Sequence, residues 1–343
     1  MIYDELKERL KSDPREWLVT GVAGFIGSNL LEALLKSGQL VMGIDNFSTG
    51  FRENLESVRA AVGESSWERF KFKEGDIADP SSCKEVCRGV AYVLHQAALG
   101  SVPRSFEQPV DANRANLDGF LNMLVASRES GVRRFVYASS SSVYGNDETL
   151  PKVEERTGDP LSPYAVTKQA GELYAKVFAQ DYYRLANIGL RYFNVFGPRQ
   201  NPGGAYAAVI PKWIDLLLKK KRCTVFGDGE TSRDFCYVEN IVQANLLAAI
   251  TGNERAVNQV YNIGYGRRTT LNQLYSAIRD GVAGYAPEVA GFEPIYSDFR
   301  RGDIRHTEAD VGKAERLLGY HPSHSLEQGL AEAMAWFVNN LGK

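Results

Sequence analysis

From 17 to about 145, short apolar runs alternate with amphipathic stretches. WLVT (17–20), LVMGID (40–45), FKFKEGDI (70–77), AYVLHQAA (91–98) and RRFVYASSS (133–141) have the length and apolar content of buried strands. Between them, SNLLEALLKSG (28–38) and LDGFLNMLVASRESG (117–131) repeat apolar residues at helical spacing, and Gly38 closes the first. A long helix is expected from 164 to about 182, followed by a strand, NIGLRYFNVFG (187–197). Alternation of this kind predicts an α/β fold: a doubly wound parallel sheet with right-handed crossovers and helices on both faces.

Beyond 197, Pro and Gly become frequent (PRQNPGG) and the alternation loosens. The expected division is a sheet domain over 1–197, to which 235–263 returns, and a smaller α/β lobe over 198–343. No repeat or low-complexity linker separates them, so the two are expected to pack together. The opening MIYDELKERLKSD reads as a short polar helix, without the apolar region of a signal peptide.

Composition narrows the function classes. The 343 residues are 44% hydrophobic and 24% charged, an ordinary globular balance. A net charge of −2 offers no nucleic-acid or anionic-membrane surface. The basic run 219–222 reads as a solvated helix end, with phosphate binding the lesser alternative. No apolar stretch reaches the ~18 residues of a membrane span. Cys83, Cys87, Cys223 and Cys236 show neither C-x-x-C spacing nor a zinc pattern, which suits reduced thiols in a cytoplasmic protein. His321 and His324 flank Pro322, and no metal is assigned.

The first candidate chemistry follows the first strand directly. TGVAGFIGSNL holds Gly21, Gly24 and Gly27 in a G-x-x-G-x-x-G pattern. Glycines there permit a tight turn and close backbone approach to a pyrophosphate, which meets the amides of the following helix. At a strand-to-helix junction this predicts a Rossmann dinucleotide site; a glycine-rich turn without ligand is the competing reading. Asp45 ends the second strand. A carboxylate there accepts from ribose hydroxyls and repels a 2′-phosphate, favouring NAD over NADP; capping of the next turn is the alternative. Asp76 and Ile77, and Gln96, Ala97 and Ala98, stand at the carboxyl ends of the next two strands, where such sheets bind ligands. Ordinary strand-end packing would also account for them. Phe25 and Ile26 within the turn, and Asn46, Ser48, Thr49 and Gly50 after Asp45, belong to the same expected cofactor set.

The second lies in SPYAVTK (162–168), which puts Tyr164 one helical turn before Lys168. Spacing alone is weak, because a Tyr-x-x-x-Lys match arises about once by chance in such a chain. Tyr3 and Lys7 form a second match, read as a decoy. Only Tyr164 follows a strand that ends in serines (139–142). A free phenol titrates near ~10 and is a poor base at neutral pH. A nearby ammonium and a positive nicotinamide ring favour phenolate, making Tyr164 a candidate general base. On spacing alone, a Tyr packed on a helix face beside an exposed Lys would serve as well.

TGVAGFIGSNL, HQAALGSVPRS, YASSSSVYG, SPYAVTK, GLRYFNVFGPRQ, VIPKW and TSRDF together make the chain, from about 15 to 337, resemble the extended short-chain dehydrogenase/reductase family. More closely it resembles bacterial UDP-N-acetylglucosamine 4-epimerases of the O-antigen or capsule type, through GLRYFNVFG and GAYAAVIPKW. That resemblance implies Tyr164 as base, Lys168 as its electrostatic partner and Ser140 as relay, with Ser141 and Ser142 lining the sugar. It places Tyr192 and Val195 beside the nicotinamide and Asn194 on substrate phosphate. Val209, Lys212 and Trp213 would line the nucleotide side, with Val225 and Phe226 near the uracil. Arg233, Arg300 and Asp303 would hold the UDP diphosphate and ribose, although either arginine could instead serve a surface ion pair. A homodimer through the helices near 117–130 and 164–182 is implied too. Their apolar residues Phe120, Leu121, Leu124, Leu173, Val177 and Phe178 suit packing within one chain equally well.

Dehydratases and decarboxylases of similar build bring an acid beside the relay hydroxyl, whereas this chain reads Ser140-Ser141-Ser142-Val143. The expected reaction is therefore NAD-dependent C4 epimerisation of a UDP-N-acetylhexosamine through a 4-keto intermediate. Thr307 stands where the galactose-restricted relatives carry a bulky Tyr, and Gly100-Ser101 suggest a roomy wall. A UDP-hexuronic acid remains open, with Arg268 or Ser101 receiving its carboxylate. A non-catalytic NAD sensor and a net redox enzyme are the remaining alternatives.

Overall fold

The apolar runs become β1 (Glu16–Thr20), β2 (Leu40–Asp45), β3 (Phe70–Glu74), β4 (Tyr92–His95), β5 (Arg134–Ser140), β6 (Asn187–Tyr192) and β7 (Gln259–Ile263) in a computed structural model that describes residues 3–203, 207–299 and 304–341. They form one sheet in the order β7-β6-β5-β4-β1-β2-β3, every pair parallel. The order reverses between β1 and β4, where open α/β sheets take ligands beyond the strand carboxyl ends. Thr20 is in register with Ile44 on one side and His95 on the other, so the three strand ends lie level.

The helices include α1 (Tyr3–Ser12), α2 (Phe25–Lys36), α3 (Gly119–Glu129), α4 (Pro163–Phe178), α5 (Val209–Leu218), α6 (Val238–Ile250), α7 (Leu271–Ala283) and α8 (Leu326–Asn340), besides a further 11-residue helix over Arg52–Val62 and several shorter helical segments. One face of the sheet is covered by α1, α2 and α6, which bring Leu6, Leu30, Leu34 and Leu246 against Val19, Val136 and Ile188. The other is covered by α3 and α4, which bring Phe120, Leu124 and Phe178 against Leu18, Val93 and Phe135. Each such side chain contributes about 1.5–3 kcal/mol by leaving water. A second apolar core, holding Trp213, Val225, Tyr275 and Phe337, lies among α5, α7 and α8. The sheet is the doubly wound Rossmann arrangement that the alternation predicts.

Local chemistry moved several boundaries. The run 187–197 is two strands: β6 stops at Tyr192, and Val195–Phe196 pairs instead with Cys236–Tyr237. Asn194 sits at the break, its backbone carbonyl accepting from the Cys236 amide and its side chain donating to the Asp234 carbonyl at 3.1 Å. β5 ends at Ser140 because the Ser140 hydroxyl accepts the Ser142 amide at 3.1 Å and bends the chain into a helical turn. The N-terminal helix is amphipathic rather than polar, with Leu6 and Leu10 buried. Among the described residues, no helix is long and apolar enough to cross a membrane.

Candidate active site

The glycine turn is fixed by close contacts. Gly21 has φ +67, and a Cβ there would meet Ala97 backbone at 2.9 Å. A Cβ on Gly27 would lie 2.1 Å from the Gly21 carbonyl oxygen. Only glycine lets the first turn of α2 press so close to β1. The result is a cradle of backbone at the amino end of α2, the geometry that receives a pyrophosphate. Gly24 donates its amide to Gly21 and caps α2 without lining the depression. Gly50 packs on Asp45, 2.9 Å from its carboxylate to an added Cβ.

Two adjoining depressions open at the strand ends. The first is lined by Gly21, Asp45, Asn46, Ser48, Thr49, Asp76, Ile77, Gln96, Ala97 and Ala98. The second is a cleft of about 670 Å³, within the range of cofactor and ligand sites. It shares Gly21, Ser48, Thr49, Gln96 and Ala98 with the first and adds Phe25, Ile26, Gly27, Gly100, Ser101 and Arg104. Ser140, Tyr164, Lys168, Tyr192, Asn194 and Val195 form its other wall. The two together fit an extended dinucleotide: glycine cradle in the middle, a carboxylate at one end and a phenol at the other.

Asp45 is 8% exposed, and burial raises its carboxyl against the pull of three backbone amides. One of its oxygens accepts from Ala23 at 2.9 Å and the other from Phe47 at 2.8 Å. It therefore braces the glycine turn while facing the first depression.

The chemical end rests on α4. Ser162 caps this helix by accepting the Ala165 amide at 3.1 Å, with Pro163 in its first turn. Ser105 accepts the Tyr164 amide at 3.0 Å. Burial raises the Tyr164 phenol overall, against the pull of the neighbouring Ser140 hydroxyl. The Lys168 ammonium donates to the Ala138 carbonyl at 2.9 Å and stands 5.8 Å from the Tyr164 ring centroid. Burial lowers it to about 8, against the charge of Glu172. The expectation of an ammonium that pulls the phenol down thus meets a different balance, in which desolvation governs both groups. The decoy pair lies elsewhere: the Tyr3 hydroxyl donates to Glu239 at 2.9 Å, and Lys7 lies 4.0 Å over the Tyr3 ring.

Other candidates lie outside the cleft lining. Ser141 and Ser142 occupy the turn after β5, and the Ser142 hydroxyl is buried without a partner among the described residues. Trp213 and Val225 are in the lobe's apolar core. Val209 and Phe226 are half-buried, and Lys212 is exposed on α5. Arg233 donates to the carbonyls of Ser232 and Arg305, both at 3.0 Å. Arg268 is 3.7 Å from Glu308. Thr307 is buried, its amide bonded to the Ser232 carbonyl and its hydroxyl unpaired among the described residues. Arg300 and Asp303 lie outside the described residues.

Several supporting residues were missed. Asn116, on a π-helical turn (Arg114–Asp118), accepts from the Leu99 amide at 2.7 Å and donates to Thr167 at 3.2 Å, tying the end of β4 to α4. Asn245 closes a hydrogen-bonded triangle of 2.8–3.2 Å beneath the cleft with the expected cofactor residues Gln96 and Tyr192. Asp234 accepts the amides of Tyr265, Gly266 and Ala309, and burial pushes its carboxyl up to about 6. Glu172 and Arg191 form a buried bidentate pair at 2.7–2.9 Å. An Asn on an amphipathic helix, or an Arg inside an apolar strand, is the only trace these leave in the sequence.

Comparison with known proteins bears on this geometry. Residues 17–264 match the family described as NAD dependent epimerase/dehydratase family. The UDP-glucose 4-epimerase of Mycolicibacterium smegmatis is 36% identical over 324 residues, covering 94% of this chain and 98% of that protein. The structure of a UDP-N-acetylglucosamine 4-epimerase from Methanobrevibacter ruminantium M1, in complex with UDP-N-acetylmuramic acid, is similar at a TM-score of 0.87 and 35% identity, covering 96% of this chain and all of that one. A UDP-glucuronic acid 4-epimerase from Bacillus cereus, in complex with UDP-glucuronic acid and NAD, is similar at 0.82 and 31% identity, covering 94% and 99%. Likeness of that extent along nearly the whole chain settles its kinship: it belongs to the NAD dependent epimerase/dehydratase family, and its cofactor is NAD.

Proposed function

We propose that the protein is an isomerase that inverts C4 of a UDP-sugar, with UDP-N-acetylhexosamine as preferred substrate and UDP-glucose/UDP-galactose as further substrates. The observation that carries this reading is the Tyr164 phenol, neighboured by Ser140 and Lys168 in one cleft with the glycine turn. Bound NAD supplies a reversible hydride acceptor. Gly21 and Gly27 receive its pyrophosphate while Gly24 shapes the turn, Asp45 holds its adenosine ribose, and Lys168 and Tyr192 border its nicotinamide end. Tyr164 removes the proton of the C4 hydroxyl, directly or through Ser140, and returns it after the sugar has presented its other face. Asn194 and the arginines Arg233 and Arg300 serve the diphosphate.

The preference for an acetamido sugar draws on the Gly100-Ser101 wall of the cleft, on the Methanobrevibacter relative, and on the sequence position of Thr307, where a bulky Tyr is expected in galactose-restricted relatives. A second reading, a UDP-hexuronic acid, is favoured by charge. Among the described residues lining the cleft, Lys168 and Arg104 are the cations and none is a carboxylate. The Bacillus cereus relative adds weight to it. Dehydration and decarboxylation fit less well, because 140–143 carry no acid.

A homodimer belongs to the same proposal. Phe120, Leu124 and Phe178 are buried inside the chain, whereas Leu173 (63% exposed) and Val177 (48%) leave an apolar strip on α4 for a second copy.

The test is direct. Purified protein is given each UDP-hexose and UDP-hexuronic acid without added cofactor, and products are identified by NMR. Interconversion of C4 epimers without net NAD reduction supports the reading. Absence of turnover with every sugar, or stoichiometric NADH accumulation, removes it.

A further inference from the structure

We propose that Glu172 is a positioning residue for the catalytic pair, clamping the strand that carries Ser140 and the strand that carries Tyr192 onto the helix that carries Tyr164 and Lys168. The proposal rests on the reading of Tyr164 and Lys168 given above. Residues 164, 168 and 172 are each one turn apart on α4 and so share a face. The first two line the cleft. The Glu172 side chain, 11% exposed, lies one turn deeper and is held by three donors. Arg191 of β6 supplies Nε at 2.9 Å and Nη2 at 2.7 Å, and the Ser139 hydroxyl of β5 donates to the same carboxylate. Ser139 and Arg191 each directly precede a residue of the cleft wall, Ser140 and Tyr192. A bidentate, charge-assisted pair that is only 6% exposed on the Arg side has narrow geometry. Moving the carboxylate would move both strand ends relative to the phenol.

The clamp also has an electrostatic side. Lys168 faces Tyr164 and Glu172 on its own helix, and the Ala138 carbonyl of β5. From β4 it meets His95, which burial and the Lys168 charge push down to about 3, so that the imidazole is neutral. Glu172 in turn faces Arg191 and the buried Tyr137 phenol. Glu172 is therefore the anion that opposes desolvation of the Lys168 ammonium. Arg191 is anchored from behind by Tyr144 and by the Glu154 carbonyl, both at 3.1 Å, so the clamp is fixed from outside the cleft.

The experiment compares the NAD-loaded wild type with Glu172→Gln and Glu172→Asp. Lys168 is followed by NMR of isotope-labelled lysine, assigned with Lys168→Arg, and kcat and KM are measured across pH. For Glu172→Gln the Lys168 midpoint is expected to fall about one unit below its wild-type position, with kcat near pH 8 lower by about fivefold and KM within about twofold. Glu172→Asp, which restores the charge, is expected to bring the midpoint back towards wild type. Arg191 left uncompensated could unfold the Gln variant; the double change Glu172→Gln/Arg191→Met then carries the test with the same expected midpoint. An unchanged midpoint and pH profile in the Gln or double variant, or a Glu172→Asp midpoint equal to that of Gln, overturns the proposal. The lysine titration does not depend on turnover. A wild type inactive on every UDP-sugar would sink the epimerase reading while leaving Glu172 separately decided.

Discussion

The carboxylate of Asp45 accepts the backbone amide of Ala23 at 2.9 Å, so the residue at the end of β2 braces the glycine turn at the end of β1. In the function proposed above, one side chain therefore joins cofactor selectivity to turn geometry. Asp45→Ala should release NAD on gel filtration and lower stability by about 1–3 kcal/mol, because the buried Ala23 amide and the half-buried Phe47 amide lose their acceptor. Retention of NAD at wild-type stoichiometry would count against the role given to this residue.

Tyr164→Phe keeps the ring and removes the proton carrier. The expected loss in kcat is about 10²–10⁴-fold, with NAD content and melting temperature near wild type. NMR assay of sugar interconversion reads the first, and absorbance of the denatured supernatant the second.

Acid–base behaviour should follow Lys168. Its ammonium is lowered to about 8 in the folded chain, so the cation is lost as pH rises through that value. If the ammonium supports the phenolate, kcat falls on the alkaline side from about pH 8. Stability carries the opposite sign. Between about 8 and the ordinary ~10.4 the unfolded chain holds a proton that the folded chain has released, so stability rises with pH there. Lys168→Met should abolish that rise in urea titrations at two pH values.

Asp234 holds three backbone amides from two separate segments. Its replacement by Ala should cost about 3 kcal/mol or more, since each orphaned amide costs about 1–3 kcal/mol. Denaturant unfolding checks this. Its carboxyl is raised to about 6, so between ~3.9 and 6 the folded state binds the extra proton and wild-type stability falls as pH rises.

Period and punctuation made much of the fold legible. β2 runs from Leu40 to Asp45 as its apolar run predicts, and the glycines announced the turn before α2. Strand ends were less visible, because they are set by single side chains acting on backbone: Ser140 on the Ser142 amide, Asn194 on the Asp234 carbonyl. The supporting shell was invisible for another reason. Glu172 meets Arg191, and Gln96 meets Asn245, only after strands and helices distant in the chain have packed. Partners so far apart leave no periodic mark. The lobe was read by resemblance, which offered Trp213 and Val225 as ligand-facing where the structure holds them in an apolar core.

The placement of β7 has a consequence for anyone who would cut this molecule in two. It joins the sheet beside β6 after the chain has already left to build part of the lobe. A fragment ending near 197 would therefore lack both this strand and α6, exposing β6 as an open edge with its hydrogen-bonding groups unmatched. Such a piece is a template for stray pairing, and dissection by simple truncation should yield aggregates instead of a working nucleotide-binding half.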